Sequence, residues 1–293
     1  MKGLFRPKEY FRPSTLTEAL SLLAKYGEGA RLIAGGTNLL VSKPSNIEYL
    51  VDITQLPLDY IKSENDGIRI GALTTFRSIE NSDLLRNQGL GVVVEAARKM
   101  GSVPIRNMAT VGGNICKANT LTELVPVLII LDAGVRITGL NGERTLALED
   151  FFTGIGKIAL KNDEILTEVL IPPLPPSTGT AFLKIGRTKE DISILNVAVR
   201  VTLDSDEKCK ETRIVVGGGA GPTFVRSKKA ELSLIGKKID IDLMREAARI
   251  VSEECNPSPR SIRGSPEYKI DLCKVLIERA IIRALNRGEK GDD

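Results

Sequence analysis

The sequence of 293 residues predicts an α+β fold with a small α/β unit, a larger α+β unit and a C-terminal α+β domain of antiparallel strands and helices. Three observations predict this arrangement. A capped amphipathic helix and short strand-like runs stand near the start, a proline-rich run interrupts the chain at 172–176, and strand patterns followed by two amphipathic helices come after it. We therefore expect domains at residues 1–57, 58–174 and 177–287.

The first segment, residues 1–57, begins with a helix. Thr15 and Glu18 have the spacing of a capping box, and leucines then recur on one helical face. Gly27 can end this helix because glycine readily adopts a positive φ. Strand-like runs follow at 30–34 and 49–53, which makes the segment a small α/β unit.

The second and third segments differ in the order of their elements. Residues 58–174 mix both types, with strands expected at 67–71, 135–138 and 168–171 and helices at 91–100 and 124–131. The run at 172–176 favours extended polyproline geometry and marks the boundary. Beyond it we expect strands at 180–185, 194–203 and 211–216, and then helices at 242–254 and 268–286.

The composition excludes several kinds of chemistry. The chain has no histidine and no tryptophan. The absence of histidine excludes Ser/His/Asp and Cys/His catalysis and histidine-ligated zinc. The formal net charge of +4, from 41 basic and 37 acidic residues, is too small to predict binding to nucleic acid or an anionic membrane. Chemistry must therefore come from carboxylates, lysines, backbone amides or a bound cofactor.

The cysteines and the longest apolar run bear on metal content and localisation. Cys116, Cys209, Cys255 and Cys273 show no C-x-x-C spacing, so we expect neither a zinc knuckle nor an iron–sulfur cluster in this chain. Scattered thiols are typical of a reducing compartment. The longest apolar run, 124–131, is far shorter than the ~18–20 residues of a membrane span, and the first seven residues lack a signal-peptide apolar region. We expect a soluble, cytoplasmic protein with no membrane span.

Two glycine segments, at 34–38 and 110–114, are the most informative motifs, and each contains a Gly-Gly pair, a threonine and an asparagine. Glycine permits a positive φ and close approach by a ligand, and successive amides can form a nest for phosphate. The alternative is that each pair is only a tight turn, but the recurrence of the pattern weighs against this. Neither segment contains the G-x-G-x-x-G fingerprint of nicotinamide enzymes. Two nests for one ligand suggest a diphosphate.

The sequences around these segments, at 33–40 and 105–115, closely resemble the FAD-binding medium subunits of the molybdenum hydroxylases, a family that includes carbon monoxide and xanthine dehydrogenases. The resemblance covers nearly the whole chain, with further matching stretches at 13–23, 70–75, 182–187, 191–193, 216–226, 263–265 and 267–268. It implies a two-sub-domain FAD-binding fold for the first two segments.

The resemblance also implies the residues that bind FAD. The two glycine segments would hold the pyrophosphate and the neighbouring ribose, through Ile33, Ala34, Gly35, Gly36, Thr37, Asn38 and Leu39 and through Thr110, Val111, Gly112, Gly113 and Asn114. Glu123 stands where the family usually has an aspartate near the ribityl chain, and it is one methylene longer.

Further residues would lie near the flavin ring itself. Backbone groups of Ile165 and Leu166 would lie beside it, Lys184 near its carbonyl edge, where a cation stabilises the reduced anion, and Asp191 and Ile192 on a loop over its face. Taken without the resemblance, Lys184 could equally be an exposed charge on a strand. Asp191 could equally be a solvated loop acid. We expect no catalytic side chain and no metal ligand in this chain.

The function implied by the resemblance is that of an oxidoreductase subunit that carries FAD and transfers electrons. It would accept electrons from [2Fe–2S] clusters on a small partner subunit and pass them to an external acceptor, which is NAD, a quinone, a ferredoxin or oxygen. The molybdenum cofactor would lie on a large partner subunit. Two alternatives stay open: a self-contained reductase of the enolpyruvyl-glucosamine reductase type, and a scaffold subunit that has lost its flavin.

Overall fold

The computed structural model describes residues 6–44 and 46–290. Residues 1–5, which begin the stretch expected to lack a signal peptide, lie outside the described residues. The strands are β1 (Glu9–Phe11), β2 (Ala30–Ile33), β3 (Tyr49–Asp52), β4 (Ile61–Glu64), β5 (Gly67–Gly71), β6 (Gly134–Gly139), β7 (Gly142–Ala147), β8 (Phe152–Gly154), β9 (Lys157–Ile158), β10 (Ile165–Ile171), β11 (Thr178–Ile185), β12 (Leu195–Leu203), β13 (Cys209–Gly217) and β14 (Val225–Arg226). The α-helices are α1 (Leu16–Tyr26), α2 (Leu39–Ser42), α3 (Phe76–Glu80), α4 (Asp83–Asn87), α5 (Gly91–Arg98), α6 (Val103–Met108), α7 (Val111–Cys116), α8 (Leu124–Ile130), α9 (Leu148–Phe151), α10 (Lys228–Leu234), α11 (Ile241–Glu254) and α12 (Pro266–Lys290).

The described residues form two compact units that interleave along the chain. Unit 1 takes its residues from Met1–Ile79, Ser102–Ala118 and Gly134–Ile171, and unit 2 from Glu80–Gly101, Asn119–Ala133 and Pro172–Asp293. The domain boundaries expected at 1–57, 58–174 and 177–287 stay a prediction. The predicted α+β class is confirmed by the mixture of helices and strands.

Unit 1 contains a parallel sheet in the order β1-β3-β2 and an antiparallel sheet in the order β4-β5-β10-β6-β7. Helix α1 covers the parallel sheet because its buried Leu20 and Leu23 share a hydrophobic cluster with Val51. The Thr15 half of the predicted capping box is confirmed, since the Glu18 backbone N–H donates to Thr15 Oγ1 at 3.2 Å, whereas the Glu18 carboxylate accepts from the Ser14 N–H at 2.9 Å. Ala30 of β2 belongs to the same cluster, and the first glycine segment begins directly after β2.

Unit 2 is built on an antiparallel sheet in the order β11-β12-β13-β14. Alternate residues of β12, such as Val197 and Val199, join Ala247 of α11 and Ile277 of α12 in one hydrophobic cluster. The side chains between them point to the opposite face of the sheet, because successive strand residues alternate in direction. Asn196 is one of these residues.

The longer predicted elements are confirmed with small shifts at their ends. The helix expected at 124–131 is α8, the strand expected at 194–203 is β12, and the helix expected at 242–254 is α11. Within the described ranges, every helix is too short or too polar to span a membrane.

Candidate functional site

The first glycine segment connects β2 to α2. Gly36 has a φ of +68°, which glycine adopts without the steric cost that other residues have. A Cβ on Gly35 would lie 1.6 Å from the carbonyl oxygen of Met108, so this turn packs against α6 in a way that only glycine permits. The backbone of the segment is therefore held in one conformation by contacts inside unit 1.

The backbone amides of this segment have no acceptor within residues 6–44 and 46–290. No described residue accepts a hydrogen bond from the backbone N–H groups of Gly35, Gly36, Thr37 or Asn38. Most backbone amides in proteins are paired, so consecutive amides without a partner are a feature to explain. Amides in such a turn are suited to bind the oxygens of an anion.

The second glycine segment is different, and the turn predicted for it is wrong. Thr110 is the N-cap of α7, and its Oγ1 accepts a hydrogen bond from Gly113 at 3.2 Å. The other amides also donate within unit 1: Val111 N to Thr74 O at 3.0 Å, Gly112 N to Ala72 O at 2.8 Å, and Asn114 N to Thr110 O at 2.9 Å. These amides therefore do not form the second predicted nest.

Close packing explains the glycine at 112. A Cβ on Gly112 would lie 2.8 Å from Ala72 Cβ and 2.9 Å from Ala72 O, so a side chain would separate α7 from the residues after β5. Gly113 is exposed, and the nearest atom to its added Cβ would be Thr110 Oγ1 at 3.0 Å. The contact between this segment and a cofactor stays a prediction. If the contact exists, the segment makes it through its exposed surface, because its amides already have partners.

Ile165 and Leu166 begin β10 and are buried, with 1% and 2% of their surface exposed. Their partners across the ladder are Thr138 and Ile137 of β6, and the register shifts immediately after Leu166. Since both side chains are buried, a ligand beside them would meet only backbone atoms. The expectation that backbone groups of these two residues lie beside the flavin stays a prediction.

Lys184 and Glu123 form a buried ion pair in unit 2. The Lys184 Nζ lies 2.9 Å from Glu123 Oε1, and the side chains are only 5% and 7% exposed. The same ammonium donates to the carbonyl oxygen of Lys99 at 2.8 Å. The alternative in which Lys184 is an exposed charge is therefore wrong. Burial raises the pKa of the Glu123 carboxyl above its usual value, although the Lys184 charge acts in the opposite direction.

Two residues that were not predicted complete this cluster. Ser193 Oγ donates to Glu123 Oε1 at 3.0 Å. The Asn196 amide donates to Ser193 Oγ at 3.0 Å and to the carbonyl oxygen of Thr122 at 3.2 Å. The available signal was an asparagine inside an apolar strand, because a polar amide at such a position needs partners.

The predicted loop residues Asp191 and Ile192 lie before β12. The Asp191 carboxylate pairs with Arg187 and accepts a hydrogen bond from the Ile192 backbone N–H at 2.8 Å. The hydrogen bond from Arg187 is the main reason why the pKa of Asp191 lies below its usual value. Ile192 is 43% exposed, which is high for an isoleucine and leaves an apolar surface on this loop.

Comparisons with known proteins agree with these features. The family model described as "FAD binding domain in molybdopterin dehydrogenase" matches residues 5–174, and that described as "CO dehydrogenase flavoprotein C-terminal domain" matches residues 180–284. The chain belongs to the FAD-binding medium subunits of the molybdenum hydroxylases.

Relatives of this family match along almost their whole length. The 6-hydroxypseudooxynicotine dehydrogenase complex subunit alpha of Paenarthrobacter nicotinovorans is 34% identical over 286 residues, which cover 95% of either chain. The glyceraldehyde dehydrogenase medium chain of Sulfolobus acidocaldarius is 31% identical, with 92% of this chain and 96% of its own covered. A chain of carbon monoxide dehydrogenase from Hydrogenophaga pseudoflava has a TM-score of 0.92 at 29% identity, covering 96% of this chain and 98% of its own.

Membership in the family confirms that this medium subunit is a flavoprotein with FAD as its cofactor and part of an oxidoreductase. The comparisons favour neither the self-contained reductase nor the flavin-free scaffold. The residues present also fit FAD, because the open amides of 35–38 suit a diphosphate and the Lys184 ammonium is a buried cation. Two of the three ammonium hydrogens are committed to Glu123 and Lys99, which leaves one for a ligand.

Proposed function

We propose that this medium subunit transfers electrons within a molybdenum hydroxylase complex. It would accept them from [2Fe–2S] clusters on a small partner subunit, and its external acceptor would be NAD, a quinone, a ferredoxin or oxygen. The molybdenum cofactor would lie on a large partner subunit. Two observations support this assembly: relatives carry the names "complex subunit alpha" and "medium chain".

The observation that carries the proposal is the row of unused amides at Gly35, Gly36, Thr37 and Asn38. We assign to it the FAD pyrophosphate, whose oxygens would accept from these amides. Hydrogen bonds to a charged group contribute roughly 1.5–3 kcal/mol each, so such a turn can supply much of the binding energy of a dinucleotide. FAD supplies the electron-transfer chemistry when it is bound, and the protein supplies position and charge.

Other residues have separate roles in the proposal. We assign the rim of the second glycine segment, from Thr110 to Asn114, to the ribose, and the backbone of Ile165 and Leu166 to the flavin. Lys184 would hold its positive charge at the carbonyl edge of the ring, and its committed hydrogen bonds to Glu123 and Lys99 support a fixed position. Asp191 would hold the loop that presents Ile192 to the ring face, which the Arg187 pair supports.

We also propose that the complex works in the cytoplasm. The four cysteines are unpaired, and Cys209, Cys255 and Cys273 are buried as small core residues. Free thiols of this kind are typical of proteins in reducing compartments.

The first test identifies the flavin. Acid precipitation of the purified chain should release all of the flavin into the supernatant, because no histidine is present to form a histidyl link. Chromatography of the supernatant should identify the released flavin as FAD. Recovery of FMN, or flavin that stays with the precipitated protein, would contradict the assignment.

The second test measures electron flow. The small partner subunit is reduced with dithionite, freed of excess reductant and mixed anaerobically with the FAD-loaded medium subunit in a stopped-flow spectrometer. Loss of flavin absorbance together with reoxidation of the clusters is expected. A flavin that stays oxidised beside a reduced partner would refute the proposed direction of transfer.

A further inference from the structure

Ser193 and Asn196 lie beside the proposed flavin-contacting lysine, and nothing in the proposed function assigns them a role. We infer that both are positioning residues: through a chain of hydrogen bonds they fix the Glu123 carboxylate, which in turn fixes the Lys184 ammonium. The inference rests on the proposed function in one respect, namely that Lys184 contacts the bound flavin.

The strand register brings the participants together. Lys184 of β11 is directly opposite Asn196 of β12, and Asn196 is directly opposite Gly217 of β13. Directly opposite residues in an antiparallel pair project from the same face of the sheet. Glu123, the N-cap residue of α8, contacts this row through the Lys184 ion pair.

The direction of each hydrogen bond in the chain is determined. A backbone carbonyl only accepts, so the Asn196 group that contacts Thr122 O at 3.2 Å must be the NH₂ group. The same NH₂ group donates its second hydrogen to Ser193 Oγ at 3.0 Å. The Ser193 hydroxyl hydrogen is then directed to Glu123 Oε1 at 3.0 Å. Asn196 therefore sets the orientation of Ser193, and Ser193 sets that of the carboxylate.

The carboxylate oxygen held in this way is the one that binds the lysine. Glu123 Oε1 accepts from Ser193 and lies 2.9 Å from Lys184 Nζ. The second contact of Nζ, with Lys99 O at 2.8 Å, fixes the ammonium from another direction. Ser193 and Asn196 are both fully buried, so bulk water does not compete for their hydrogen bonds. The remaining ammonium hydrogen consequently has one direction.

The cost of the arrangement argues against a purely stabilising role. Asn196 Oδ1 is buried and has no hydrogen-bond partner among the described residues. An unsatisfied buried polar atom costs about 1–3 kcal/mol, which an apolar residue in β12 would avoid. A Cβ on Gly217 would lie 2.5 Å from this same oxygen, so the neighbouring strand leaves room for the amide. Buried polar groups that lower stability are expected at functional positions.

The backbone that Asn196 holds is also fixed from another side. The Gly218 N–H donates to Thr120 O at 2.8 Å, and Lys269 Nζ, at the start of α12, donates to Gly218 O at 3.1 Å. The loop from Thr120 to Thr122 is therefore anchored by β13 as well as by Asn196. Loss of the Asn196 amide should leave this loop in place and release mainly Ser193 and Glu123.

The test compares four variants of the FAD-loaded chain by spectroelectrochemical titration, with FAD content measured in parallel. Lys184→Met is the reference, and it should make the flavin harder to reduce while FAD content stays near wild type. Ser193→Ala and Asn196→Ala should shift the midpoint potential in the same direction, by a substantial part of the Lys184→Met shift, because the released carboxylate draws the ammonium from its position.

Ser252→Ala is the matched control. Ser252 is buried in the same unit, and its hydroxyl donates to Arg249 O at 2.7 Å, far along the chain from the cluster. Ser252→Ala, like Ser193→Ala, removes a buried hydroxyl and a hydrogen bond that this hydroxyl donates, and it should leave the midpoint potential unchanged. A shift in Ser252→Ala as large as that in Ser193→Ala would overturn the inference.

The outcomes separate this inference from the proposed function. If Lys184→Met has the wild-type potential, Lys184 does not contact the flavin and that part of the proposed function fails. If Lys184→Met shifts the potential but Ser193→Ala does not, the proposed function stands and the positioning chain is refuted. Should Asn196→Ala fail to fold, Ser193→Ala alone decides.

Discussion

The row of unused amides depends on the positive φ of Gly36, and replacing this glycine by alanine tests it. Gly36 has a φ of +68°, and Gly156, also in unit 1, has a φ of +64°. An alanine in the left-handed region costs roughly 1–2 kcal/mol, so both variants should lose about this much stability. An added Cβ at Gly156 would meet no atom within 4 Å, and at Gly36 it would meet the flexible end of Leu40 at 3.0 Å. Gly156→Ala is therefore a control matched for backbone strain.

The two variants should differ in FAD binding. If the chain at Gly36→Ala relaxes toward negative φ, the neighbouring peptide turns and at least one amide no longer points to the phosphate. Losing one hydrogen bond to a charged group costs roughly 1.5–3 kcal/mol. The Kd for FAD should then rise roughly 10- to 150-fold. Gly156→Ala should bind FAD with the wild-type Kd.

Two measurements are needed. Urea unfolding of the flavin-free protein reports the change in stability, and quenching of flavin fluorescence during titration reports the Kd. Equal losses of stability with unchanged FAD binding in both variants would refute the assignment of residues 35–38 to the pyrophosphate. Equal weakening of FAD binding in both would show that general destabilisation, rather than the amides, controls affinity.

Two further predictions concern stability. Gly112→Ala should lower the free energy of unfolding in urea by roughly 1–3 kcal/mol, because its Cβ would lie 2.8 Å from Ala72 Cβ in a packed interior. Gly113 is exposed, so Gly113→Ala should lose clearly less free energy of unfolding. Equal losses in the two variants would contradict the packing role of Gly112. Burial alone would raise the pKa of Glu95, but the hydrogen bond and charge of Lys99 and two arginines of α12 lower it overall. The stability that Glu95 contributes should be present above its unfolded pKa of about 4.3 and lost as the pH falls through the lower folded pKa. The free energies of unfolding of wild type and Glu95→Gln should therefore differ at neutral pH and converge in acid. A difference that grows in acid would contradict the lowered pKa.

Long elements with a clear period were predicted well because their signal is local. The apolar run at 124–131 could only be a buried helix or strand, and its length and flanking residues favoured the helix that is observed as Leu124–Ile130. Alternation over 194–203 likewise predicted β12. In both cases the residues that determine the element lie within it.

The second glycine segment could not be interpreted from its own residues. A glycine is required both where the backbone has a positive φ and where another chain segment packs too closely for a Cβ. The same Gly-Gly sequence pattern occurs in both situations. At Gly36 the backbone takes a positive φ, but at Gly112 the constraint is Ala72, which lies forty residues earlier in the chain. The prediction of a second nest failed because that contact is not local.

The polar cluster of unit 2 was found only in part for the same reason. The bonds from Ser193 to Glu123 and from Asn196 to Thr122 join residues that are 70 and 74 positions apart. A strand pattern also does not reveal whether the second face of a sheet is covered. Lys184 therefore looked like a residue that could face solvent, whereas its ammonium reaches the end of α5 and the start of α8.

The two candidate clusters use opposite physical means to prepare for a charged ligand. Residues 35–38 have four amides without a partner in the described part of the chain, so binding strength there depends on a ligand that supplies acceptors. Around Lys184 the protein has already provided a counter-charge and fixed hydrogen bonds, so the cation is held in place before a ligand arrives. Free donors suit a group with a constant charge such as a diphosphate. A cation that is paired with a carboxylate and fixed in position suits a ring whose charge changes on reduction. Water would screen the charge of a fully exposed lysine, and burial without a counter-charge favours the uncharged form of a lysine side chain.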